Sequence, residues 1–114
     1  MIIKSRDQVP FEDTSGYNNV SKQILLGPKD GSEEIIMRYF SVEPGGSTPY
    51  HNHPFPHLVK VEGGSGVAID KDGKEYSLAK GQYVYVDDDE IHGFRNVGNE
   101  PFEFICIVPR RGEK

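Results

Sequence analysis

Residues 45–57 read Gly45-Gly46-Ser47-Thr48-Pro49-Tyr50-His51-Asn52-His53-Pro54-Phe55-Pro56-His57. Two histidines at i and i+2 on an extended segment point to the same side of the chain. His57 follows the Pro54-Phe55-Pro56 bend at the head of an alternating run, so the bend can return a third imidazole toward the first two. A fourth, His92, lies in a second stretch that runs from Gly81 to Asn96 and ends Asp87-Asp88-Asp89-Glu90-Ile91-His92-Gly93-Phe94-Arg95-Asn96. The 114-residue chain has these four histidines and no others. Imidazole is the commonest protein ligand for transition metals. The spacing makes His51, His53, His57 and His92 candidate ligands of a single ion.

The chain around these stretches has almost no helix signal. Thirteen glycines and eight prolines punctuate short segments that alternate in polarity, the mark of an all-β sandwich or barrel. Strands are expected over 23–27, 34–43, 57–62, 66–70, 74–78, 82–86, 92–97 and 102–108. Pro44-Gly45-Gly46 is expected as a turn, and Asp72-Gly73 as the type I′ turn of a hairpin. In the last strand Phe102, Phe104, Cys106 and Val108 share one face; Glu103, Ile105 and Ile107 share the other. Both faces are largely apolar, so one should line the interior and the other could pack on a second subunit. Residues 1–22 are polar and weakly patterned and read as an arm, 23–109 as one barrel, and 110–114 as a frayed tail.

Composition narrows the function. Eighteen acidic residues against thirteen basic give a net charge of -5, which argues against nucleic acid, since that needs a basic face. It also lacks the polybasic cluster that seeks anionic lipid. No apolar run is long enough for a membrane span, and the N-terminus lacks the apolar core of a signal peptide, so a soluble cytoplasmic protein is expected. Cys106 is the sole cysteine, which excludes an intrachain disulfide and a cysteine-based zinc site.

In these motifs the chain resembles the cupin superfamily. The first cupin motif is met at Gly45, His51, His53, His57 and Gly64, the second at Gly81, His92 and Asn96, each in register. The resemblance spans about residues 34–108. His57 stands where most cupins carry a glutamate ligand, and Asp87 and Asp89 replace the proline and glycine of the second motif. The pattern looks most like the small four-histidine microbial cupins that bind manganese. It implies a single-domain double-stranded β-helix, or jelly-roll barrel, holding one divalent transition metal. Manganese is the first choice, with iron, nickel, cobalt, copper and zinc as alternatives, because affinity alone does not select manganese.

Four neutral imidazoles leave a divalent ion its full charge, about +2, in a partly desolvated barrel. Such a centre attracts anionic ligands. Four protein ligands on an octahedral ion would leave two open positions, the signature of a catalytic rather than a structural site. The expected activity is a metal-dependent, dioxygenase-like oxidoreductase acting on a small anionic or chelating molecule. The alternatives are a Lewis-acid isomerase or decarboxylase, or a binding module without turnover. The resemblance turns Arg38 inward, where it could orient a substrate carboxylate. Thr48, Tyr50, Phe94, Phe104 and Cys106 are the remaining pocket candidates, and a homodimer is expected.

Overall fold

The computed structural model describes residues 1–113 and is built almost wholly of antiparallel strands. They are β1 (Asn18–Leu26), β2 (Ile35–Ser47), β3 (His57–Gly63), β4 (Ser65–Ile69), β5 (Glu75–Ala79), β6 (Tyr83–Val86), β7 (Gly93–Asn96) and β8 (Phe102–Pro109). The sheet order is β5-β4-β7-β2-β8-β3-β6, with β1 added on β2. Long β2 makes this possible. Its first half pairs with β1 and β8, and its end reaches β7 through Ser47 and Arg95. The sheet curls there into an all-β half-barrel. No helix of the described residues is long and apolar enough to cross a membrane.

Alternation in the sequence decides what lies inside. On β8 Phe102, Phe104, Cys106 and Val108 are buried, while Glu103, Ile105 and Ile107 keep partial exposure. On β2 Ile36, Arg38, Phe40 and Val42 face the same interior, and β3 adds His57, Val59 and Val61. Phe94 of β7 meets Phe104 at 5.1 Å between ring centroids, and Phe104 meets Phe40 at 5.2 Å. Each such buried apolar side chain stabilises the fold by about 1.5–3 kcal/mol. The aromatic cluster forms the floor on which the histidine centre stands.

Two turn expectations are corrected. Pro44-Gly45-Gly46 does not end β2; the strand runs on to Ser47 over a register shift against Asn18–Val20. Gly45 takes φ 80° there, and a Cβ on Gly46 would lie 2.6 Å from the Asn18 carbonyl oxygen, so the two glycines sit in an irregular stretch in which residues 43–46 lie opposite Asn19 alone. At the β4–β5 hairpin only Gly73 has positive φ, whereas type I′ needs it at both central residues. Asp70 accepts from the backbone of Asp72 and Lys74 and holds a longer loop with glycine in the left-handed position. Arg110–Gly112, expected to fray, forms a 3-10 turn anchored by the Arg110 N–H on the Glu34 carbonyl.

Candidate metal centre

The two histidine stretches meet as backbone. His51 and His92 form an isolated antiparallel bridge, with His51 N–H on the His92 carbonyl at 3.0 Å and the reverse bond at 2.9 Å. Asp89 adds an N–H to the His53 carbonyl, taking φ 60° where the second cupin motif has glycine. His51, His53 and His92 thereby bring one ring nitrogen each to within 4.8 Å of one another, with no carboxylate in the cluster. His57 opens β3 on the other side of His53, ring centroids 4.3 Å apart, and lies outside that three-nitrogen cluster.

The tautomers suit a metal. His53 donates Nδ1–H to the Phe55 carbonyl at 3.1 Å, and His92 donates Nδ1–H to the Glu90 carbonyl at 2.8 Å. A carbonyl only accepts, so both rings carry their proton on Nδ1 and turn a bare Nε2 inward, the outer-shell arrangement that metal-binding histidines use. Phe55 stacks on His53 at 3.9 Å between centroids and fixes its plane. The bare Nε2 of His53 stands 2.6 Å from Nε2 of His57. Arg38 Nη2 only donates, so His57 Nδ1 accepts and the His57 proton sits on Nε2, from which it donates to His53. The fit to a metal ion rests on the bare Nε2 atoms of His53 and His92 beside His51.

Electrostatics act the same way. His51 and His53 are held below the ordinary histidine range, first by burial and then by their imidazole neighbours. His57 is pushed down to about 2, by burial first and by the Arg38 guanidinium second. Neutral imidazoles are what a metal needs. Cys106 goes the other way: burial pushes its thiol up, against the pull of Arg38.

The histidines wall a cavity of about 150 Å³ that Thr48, Phe94, Phe104, Cys106 and Arg38 also line. Arg38 faces in, as expected, but it is already engaged. Its Nη2 donates to Cys106 Sγ at 2.9 Å and stands 3.3 Å from His57 Nδ1, while Nη1 donates to Glu113 at 3.3 Å. Tyr50 is corrected: it does not line the cavity, is half-exposed, and donates its hydroxyl to the Asp70 carbonyl. The sequence reading also missed Lys22, Phe40 and Phe55 in the cavity wall. Only Phe40 carried a signal, its shared parity with Arg38 on β2.

Among curated proteins, the chain is 29% identical over 104 residues to the 1-methylthio-D-xylulose 5-phosphate methylsulfurylase of Rhodospirillum rubrum. That match covers 90% of this chain but 64% of the relative, so the chain spans less than two thirds of it. Among solved structures, the polyketide cyclase RemF from Streptomyces resistomycificus superposes with a TM-score of 0.90 at 26% identity, over 96% of this chain and 80% of that one. A cupin 2 domain-containing protein from Halorhodospira halophila gives 0.74 at 34% identity, over 87% and 68%. Residues 38–108, which hold both histidine motifs, match the Cupin domain family, and this chain belongs to it.

Proposed function

We propose that His51, His53, His92 and His57 hold one divalent transition metal, manganese by preference, and that the protein is a metal-dependent oxidoreductase of dioxygenase type. Its substrate would be a small anionic or chelating organic molecule. The observation that carries this reading is a donor set made only of imidazoles, with bare Nε2 atoms directed into a cavity. A bound ion supplies Lewis acidity and, if redox-active, an electron-transfer centre.

The chain's own residues do the rest. The carbonyls of Phe55 and Glu90 keep the proton off the inward nitrogens of His53 and His92. Phe94 and Phe104 exclude water from one wall and lower its polarity. Arg38 places a cation at the inner end, where it orients an anionic substrate. The outer face of β2, β8, β3 and β6 pairs with a second copy of the chain.

The names of two relatives, a methylsulfurylase acting on a sugar phosphate and a polyketide cyclase, favour a second reading, in which the ion acts as a Lewis acid without redox change. Metal exchange separates the two. Activity found with the native metal should be lost when redox-inert zinc replaces it at full occupancy; retention of rate with zinc sinks the oxidoreductase reading. A freshly purified protein with no bound metal by elemental analysis sinks both.

A further inference from the structure

Three charged side chains meet at the inner end of the cavity. Lys22 occupies a core-facing position of β1, on the parity of Val20 and Ile24, and is buried. Arg38 lies on the neighbouring strand with a side chain only 6% exposed. Between them sits the carboxylate of Glu113, delivered by the 3-10 turn after β8, 2.7 Å from Lys22 Nζ and 3.3 Å from Arg38 Nη1.

The balance is uneven: two cations of low exposure share one carboxylate. Arg38 Nε is, besides, the buried side-chain polar atom left without a partner among the described residues. A buried donor without an acceptor is costly, and a guanidinium still offering an edge can take an oxyanion. Gly112 borders the histidine cavity, and Glu113 borders a second cavity of about 710 Å³ whose wall holds Lys4, Lys29, Arg110 and Arg111 together with Glu12 and Asp30, the last paired with Lys4. Residues 112 and 113 thus stand as a partition. With the partition closed, the histidine cavity is well below the roughly 300–1,000 Å³ of usual small-ligand pockets.

We propose that Lys22 and Arg38 form an oxyanion subsite and that Glu113 is its internal occupant, displaced when an exogenous anion binds. The group that fits best carries close to two negative charges, as a phosphoryl group does, because it neutralises both cations where Glu113 neutralises one. Displacing Glu113 moves the partition aside and joins the two cavities. The ligand class is a small molecule with a phosphoryl or similar oxyanion at one end and a metal-chelating group at the other. Only that second end rests on the metal reading.

The test uses metal-free protein and inorganic phosphate, so that its failure is separate from any failure of the metal site. Removing an internal competitor, whose effective concentration is in the millimolar range or above, should tighten binding. Calorimetry should show Glu113→Gln binding phosphate about tenfold more tightly than the parent, and Lys22→Gln in that background reversing the gain. Equal affinity for parent and Glu113→Gln, or no effect of Lys22→Gln, overturns the proposal and leaves Glu113 as a structural ion-pair partner. Should a variant fail to fold, the parent decides. Saturating phosphate should speed tryptic cleavage after Arg110 and Arg111 severalfold, and an unchanged rate overturns the proposal.

Discussion

At the scale of single residues, His57 is shifted far from its free form. Its pKa is pushed down to about 2 in the fold against 6.5 for a free histidine, with burial the larger cause and Arg38 the second. The unfolded chain therefore takes up a proton below pH 6.5 that the folded chain refuses, and stability must fall as pH falls. His51 and His53 shift in the same direction. Metal-free protein should lose about 1 kcal/mol from His57 alone between pH 7.5 and 5.5. Thermal unfolding across that range measures it, with His57→Gln showing a shallower slope; equal slopes would remove His57 as the cause. The cluster of His51, His53 and His92 was legible because each lies in a short motif whose spacing is local. Lys22 and Glu113 were not, since they meet only through the β1–β2 register and the turn after β8. Tyr50 was misplaced for a related reason: residues 48–50 are outside any strand, so parity did not carry across them.

Strands were the legible elements, and their joints were not. Seven of the eight strands begin within one residue of the sequence expectation, because a half-buried strand writes its period into its side chains. The exception is β1, which starts at Asn18 within a stretch too polar to show alternation. Asn96, the last residue of the second motif, explains one joint. Buried at the end of β7, it donates to the carbonyls of Val42 and Glu100 and accepts from the Gly98 N–H, all within 2.7–2.8 Å. It locks the end of β7 to β2 and to the turn before β8. Asn96→Ala leaves the Val42 carbonyl without this donor and should cost about 2–3 kcal/mol. Its metal content should match the parent's, because no histidine touches Asn96. Chemical denaturation beside metal analysis checks both, and loss of metal from folded variant would mean the joint also sets the centre.

The whole molecule presents one broad apolar outer face. Strand register sets Met37, Ile107, Leu58 and Tyr85 in a row across β2, β8, β3 and β6. Leu58 is 54% and Tyr85 61% exposed, too much apolar surface in one row for a face meant for water. A second copy is the proposed cover. The parent should run at twice 12.8 kDa in light scattering at micromolar concentration. Leu58→Asp, burying a charge at the centre of that face, should weaken pairing at least a hundredfold. A monomeric parent ends the idea. The bridge between His51 and His92 bears instead on the order of events during folding. Those residues are distant in the chain, and their two hydrogen bonds form only when the strands around them have closed. Loop-closure entropy makes such distant pairings late. The ring nitrogens converge because the backbone has already paired, so an ion held there would be captured after the barrel and would not nucleate it. Refolding rates should then be indifferent to metal, and the ion should act on the unfolding side, as a late lock on a finished frame.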